Sequence, residues 1–205
     1  MSIIRTHAAG KLVLQAQQKR VYCQEKNRRT TKQHLPSTCL LPLLSPVSIL
    51  STRPESSMQP EIQTFATLLQ QGTHQALEYL NSRTPHRYTG VFRFDGDMLR
   101  NEALFDRYQP TVQQGDDVPM AVTYCALVGR QEAPVQILDA TIDPQAAGVE
   151  TAVISYCGVL IRDAHGKAYG TLCHYDLQRC QERTTDLALL EAAAQLLYKK
   201  LHRVE

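Results

Sequence analysis

The sequence predicts an α+β domain, a central and mostly antiparallel β-sheet with helices at its amino and carboxyl ends. Two apolar stripes of helical period, over residues 62–83 and 187–201, bracket the domain. Between them lie β-patterned runs that meet at glycine-containing turns, the mark of hairpins.

In the first stripe Ile62, Phe65, Leu69, Ala76 and Leu80 recur at helical spacing, as expected of a face that covers something flat. Gly72 interrupts it and Thr73 is a candidate cap, so the segment reads as two short helices or one kinked helix. Pro85 ends the run. Tyr88, Phe92 and Phe94 then share one face at period two, and Asp95-Gly96 leads to a second run over residues 98–105. Asp-Gly between such runs predicts a tight hairpin with positive φ in its turn. Residues 116–128 open with acidic groups, carry Pro119 in what would be a first turn and precede Gly129, a pattern that predicts a short capped helix. Pro134 and residues 135–138 give a strand ending at Asp139, and residues 141–150 a loop or short helical turn.

Residues 156–161 and 167–175 form the clearest hairpin, joined by Asp163-Ala164-His165-Gly166 with Asp first and Gly last, as in a type I turn. The turn length sets the register. A loop of Ala164, His165 and Gly166 would place Cys157 opposite Cys173, whereas a loop that also takes in Asp163 would send them to opposite faces. The last stripe comprises Leu187, Leu190, Ala194, Leu197 and Leu201. Thr184, Thr185 and Asp186 precede it, and Lys199, Lys200 and Arg203 lie at its carboxyl end, where the helix dipole favours each.

Composition narrows the function classes. A hydrophobic fraction of 43% and a formal charge of +2 describe a soluble globular chain without the cationic excess of a nucleic-acid binder. No apolar run approaches the roughly 20 residues of a membrane-spanning helix. Charge divides the chain: up to Ser57 there are nine Lys and Arg residues against Glu25 and Glu55, and the remainder is net acidic. Residues 1–57 are therefore read as a disordered, basic, Pro- and Ser-containing extension and residues 58–205 as the domain. The extension suits an organelle leader, a basic tail or a start assigned upstream of Met58. Six cysteines, Cys23, Cys39, Cys125, Cys157, Cys173 and Cys180, show no regular spacing, so a disulfide framework is not expected and a reducing cytoplasm is. No glycine-rich phosphate loop follows a strand.

The run from Tyr156 through Gly158-Val159, the Asp163 to Gly166 turn and Gly170-Thr171-Leu172-Cys173 resembles the carboxyl-terminal hairpin of GAF domains. Thr123-Tyr124-Cys125, Ala133-Pro134 and Leu138-Asp139-Ala140 resemble that family's middle helix and strand. The resemblance implies terminal helices on one face of the sheet and a small-molecule pocket on the other. It also implies a sensory role without catalysis, a homodimer formed through the terminal helices, and a signalling partner to supply the output. Residues 147–154 lack the cysteine on which phytochrome-type members hold a bilin, and the dispersed signature of cyclic-nucleotide binders is not found, so ligand and cofactor stay undefined.

Asp139 at a strand end and Tyr156 beside apolar wall are the sparse polar groups that orient a ligand in a concave site. Cys125, Cys157 and His174 complete the candidate set. For Asp139 a turn-acceptor role competes, and for the cysteines ordinary core packing does. Cys173 and His174 are neighbours in a strand and should face opposite ways. A related fold hosts a reductase for free methionine sulfoxide, whose chemistry needs a low-pKa thiolate and a second thiol in reach. Cys125, Cys157 and Cys173 are the residues that could supply it. A zinc site from Cys157, Cys173, His174 and Cys180 lacks the close ligand pairs of structural zinc.

Overall fold

The computed structural model describes residues 55–181 and 185–202, with side chains from residue 59. Cys23, Cys39, Thr184, Arg203 and the basic extension ahead of Glu55 lie outside the described residues.

The amino-terminal stripe becomes two helices, α1 (Glu55–Gln71) and α2 (Thr73–Ser82). Gly72 itself occupies the cap position, in extended backbone, and Thr73 is the first helical residue rather than the cap. Next come β1 (Tyr88–Asp95) and β2 (Met98–Asp106), paired antiparallel. Their turn is Gly96-Asp97, one residue beyond the expected pair: Asp95 still pairs with Met98, and Gly96 alone takes positive φ, at 61°. Glycine at the first central position is what a type II′ turn demands.

The capped helix expected over residues 116–128 does not form as such. Val118–Pro119 instead makes a short edge strand, β3, against Leu99 and Met98. Proline is tolerated there because it withholds its missing donor from an edge and not from the sheet interior. A 3-10 turn at Met120–Val122 follows, and the helix α3 runs over Cys125–Gln131, ended by Glu132 in the left-handed region at φ 49°. The chain continues through β4 (Val135–Ile137), a 3-10 turn at Pro144–Ala146, β5 (Ser155–Arg162) and β6 (Ala168–Asp176). The last helix, α4 (Leu187–His202), begins where Asp186 Oδ1 accepts from the Leu189 amide at 3.2 Å.

The six strands lie in the order β3-β2-β1-β6-β5-β4, every neighbouring pair antiparallel. One face packs under α1, α2 and α4, where Phe65, Leu69, Leu77, Leu190 and Leu197 meet Val91, Phe105, Val159, Ile161 and Leu172. The other face carries a second apolar core, in which Phe92, Leu99, Tyr156, Leu160 and Cys173 meet Cys125, Leu127 and Val128 of α3. The far face is thus filled by side chains, under a cover of α3 and parts of the 140–153 loop.

Two bulges fix this division. Val91 pairs with Ala103 but Phe92 with Asn101, leaving Glu102 as the extra residue in β2. Arg162 pairs with Ala168 but Ile161 with Gly170, leaving Tyr169 as the extra residue in β6. The two extra residues meet: the Tyr169 hydroxyl donates to Glu102 Oε1 at 2.6 Å. Tyr169 also packs edge-on to Tyr198 and His202 of α4, with ring centroids 5.1 and 4.8 Å away. Beside it Gly170 lies so close to β1 that a Cβ would stand 2.0 Å from the Phe92 carbonyl oxygen. Because that obstacle is main chain, Gly170→Ala should cost more than about 2 kcal/mol, read as a lower denaturation midpoint in urea; an unchanged midpoint would count against this close approach.

Candidate functional site

The β5–β6 ladder decides which candidate residues meet. The turn begins in the register of the three-residue loop, with Arg162 opposite Ala168, and the Tyr169 bulge then shifts it by one. Cys157 therefore faces His174, and Cys173 faces Gly158. Opposed residues share a face of a sheet and successive ones do not, so Cys157 and His174 go to the helix side while Cys173 goes to the far side.

On the far face four polar side chains converge inside apolar wall. Cys125 opens α3 and is buried. The Tyr156 hydroxyl donates to its sulfur at 3.3 Å. The Cys173 thiol lies in the same buried cluster beside this sulfur and approaches the Gly90 carbonyl at 3.8 Å. Thr171, two residues before Cys173 on the same side of β6, is fully buried, and its Oγ1 has no conventional hydrogen-bond partner. Gly158 makes room for this arrangement, since a Cβ there would lie 2.2 Å from the Tyr156 hydroxyl. The Tyr124 ring leans on Tyr156 with centroids 5.5 Å apart, and its hydroxyl reaches the Val153 carbonyl at 3.4 Å.

The electrostatics of the two thiols differ. The neighbouring Cys173 thiol, and secondarily the nearby Thr171 and Tyr156 hydroxyls, hold the Cys125 thiol below its ordinary range in spite of burial. Burial pushes Cys173 well up, and it does the same to the Tyr156 hydroxyl. The site thus pairs one thiol disposed to ionise with a neighbour disposed to keep its proton.

The other candidates lie elsewhere. Asp139 organises its own loop: its Oδ1 accepts from the Thr141 amide at 3.0 Å and the Thr141 hydroxyl at 2.6 Å. Cys157 sits in the helix-side core, where burial pushes its thiol up to about 11. His174 belongs to a polar seam between sheet and helices that the sequence did not announce. Its Nδ1 pairs with Thr89 Oγ1 at 2.7 Å, and that oxygen accepts from Asn81 Nδ2 at 2.9 Å. The His86 ring stacks over His174 at 6.1 Å, while Arg107 donates to the Asn81 side chain and to main-chain oxygens of Asn81 and Thr84. Thr171 was likewise missed, although its period-two relation to Cys173 was there to be used. Among the described residues no group of three or more His, Cys, Asp or Glu is placed to hold a metal ion, and no helix is long and apolar enough to cross a membrane.

No model of a known protein family matches the sequence, and no curated protein matches it. Solved structures do. The GAF domain of an Acinetobacter phosphoenolpyruvate-protein phosphotransferase is 14% identical, with a TM-score of 0.56 over 74% of this chain and 98% of that one. The free methionine-R-sulfoxide reductase from Neisseria meningitidis, in complex with its substrate, is 16% identical, with a TM-score of 0.54 over 74% and 93%. The A. aeolicus nlh2 GAF domain in an inactive state is 11% identical, with a TM-score of 0.52 over 74% and 99%. At such identities the likeness is one of fold, and the fold is GAF-like, α+β, with an antiparallel sheet between helices.

The helix-side seam makes stability sensitive to acid. Burial lowers His86 from 6.5 to about 4, Asp176 opposing and Arg107 assisting. Burial lowers His174 from 6.5 to about 3, with His86 and Arg107 adding to it. Above pH 6.5 both rings are neutral in the folded and unfolded chain alike. As pH falls from there towards 4 the unfolded state takes up protons that the folded state refuses, so stability is lost by up to about 1.4 kcal/mol per pH unit for each ring. Chemical denaturation at pH 7 and pH 5 should show this loss, and His174→Gln should flatten it; equal midpoints at the two pH values would contradict the assignment of neutral, buried histidines.

Proposed function

We propose that this chain is a small-molecule-sensing module, without catalysis of its own, whose ligand lodges on the far face of the sheet and whose signal passes to a partner protein. The observation that carries this reading is the quartet of Tyr156, Cys125, Cys173 and Thr171. These are few polar groups converging in an apolar wall, with one hydroxyl left for a ligand to satisfy. Covering them are α3 and the 140–153 loop, whose one regular stretch is a 3-10 turn at Pro144–Ala146. The loop, with few buried side chains, opens at low free energy, so a ligand can enter by displacing it. Pairing of two copies through α1 and α4 belongs to the proposal, supported by the half-buried Ile62, Leu68, Leu196, Tyr198 and Leu201 along those helices.

Native mass spectrometry of the purified full chain under reducing conditions tests the ligand. A protein carrying added small-molecule mass is expected. Gly158→Ala, which pushes the Tyr156 ring aside, should lower occupancy by about tenfold or more, the loss of one well-made polar contact. An unliganded mass, with no melting shift across a panel of small molecules, would count against the sensor. Light scattering after size exclusion should give the mass of a dimer, and a monomer at all concentrations would remove the helix-mediated pairing.

A second reading, a thiol-dependent reductase or redox sensor, is favoured by the lowered Cys125 thiol beside Cys173. Free methionine sulfoxide with dithiothreitol is the discriminating assay. Turnover that disappears in Cys125→Ser would establish an enzyme, and no turnover would leave the sensor.

A further inference from the structure

We propose that Cys125 and Cys173 form a redox-active dithiol, which a peroxide converts to an intramolecular disulfide that ties α3 to β6 and closes the far face to its ligand. The closing step rests on the ligand-binding reading above; the disulfide itself rests on the thiols alone. α3 packs directly on β6, and Cys125 from the one and Cys173 from the other lie in the same buried cluster on the far face, close enough that each perturbs the other's thiol. Neither cysteine is engaged elsewhere in a disulfide. No other described cysteine competes for either: Cys157 lies through the sheet on the helix side, and Cys180 lies in the segment after β6, its amide bonded to the Leu138 carbonyl.

The surroundings suit each step. Tyr156 donates to the Cys125 sulfur at 3.3 Å and so stabilises it as a thiolate, the nucleophilic form. The thiolate attacks one oxygen of hydrogen peroxide, the O–O bond breaks, and the departing hydroxide takes up the proton that Cys125 gave, leaving as water. Cys125 is then a sulfenic acid, and Thr171 Oγ1, fully buried and unpartnered, is the polar group placed to meet the added oxygen. The Cys173 sulfur next attacks the Cys125 sulfur, the S–O bond breaks, and the departing hydroxide takes the Cys173 proton to leave as a second water. Two thiols are oxidised, one peroxide is reduced, and dithiothreitol or a cellular thiol reverses the change.

This state explains why the polar quartet is built around sulfur. A disulfide removes both thiols from the wall of the far face and ties α3, which covers it, to β6, so oxidation should release a bound small molecule.

Peptide mapping and intact mass of the full chain, before and after mild hydrogen peroxide, test the proposal. Expected is a loss of about 2 Da, the two thiol hydrogens, with the Cys125 and Cys173 peptides linked and the mass restored by dithiothreitol. Cys157→Ser should behave as wild type, whereas Cys125→Ser and Cys173→Ser should each abolish the link. A link through Cys157 or Cys180, sulfinic acid at Cys125 with Cys173 untouched, or no reaction at all would overturn it. Mapping of the wild-type chain alone is decisive, so a serine variant that fails to fold does not blunt the test. A disulfide that forms while the small-molecule mass found under reducing conditions stays bound would overturn the closing of the far face and leave the sensor reading intact.

Discussion

Tyr169 takes no partner across the β5–β6 ladder, and this single unpaired residue determines which side chains enter which core. Without it the ladder would continue as it begins at Arg162 and Ala168, and Cys157 would stand opposite Cys173. With it Cys173 turns to the far face and reaches Cys125, while Cys157 and His174 turn to the helices. What holds the bulge is itself tertiary: the hydroxyl bond to Glu102, the other unpaired residue, and the edge-on packing against Tyr198 and His202 at the end of α4. Helix docking and sheet register are therefore mutually dependent, and the far-face site inherits its geometry from contacts on the opposite side of the sheet.

The two faces use buried polar groups differently. On the helix side, Asn81, Thr89, His86, His174 and Arg107 form a seam that joins α2 to the sheet, its histidines kept neutral by burial. A seam of this kind costs desolvation and repays it in positional specificity, because its hydrogen bonds fix the relative placement of α2 and the sheet. On the far side the polar groups are fewer and softer, and one hydroxyl is left unsatisfied. The first arrangement joins helix to sheet, and the proposed ligand site is placed at the second.

Sequence periodicity was sufficient for the layers. The stripe around Leu190, Ala194 and Leu197 and the hairpin around Asp163 to Gly166 both appear where their spacing puts them, since burial of one helix face and a glycine at φ 78° are local requirements. Errors arose where a tertiary contact overrode a local pattern. Pro119 looked like the first turn of a helix, but pairing of Val118 with Leu99 offers the same backbone an extended state. Asp95 looked like a turn residue, yet it completes the ladder opposite Met98. The bulges were not legible at all, because nothing in the run Lys167 to Gly170 says that Tyr169 must reach Glu102. For the same reason Asp139, Cys157 and His174 lie away from Cys125 and Tyr156, which do meet, and Thr171 went unnoticed.

Inter-strand nuclear Overhauser contacts between backbone protons of β5 and β6 read this register directly. Gly158 with Cys173 and Cys157 with His174 are the expected pairs, with Tyr169 taking no residue of β5 as its pair. Contacts pairing Cys157 with Cys173 would put both sulfurs on one face, separate Cys173 from Cys125, and contradict the far-face site at its foundation.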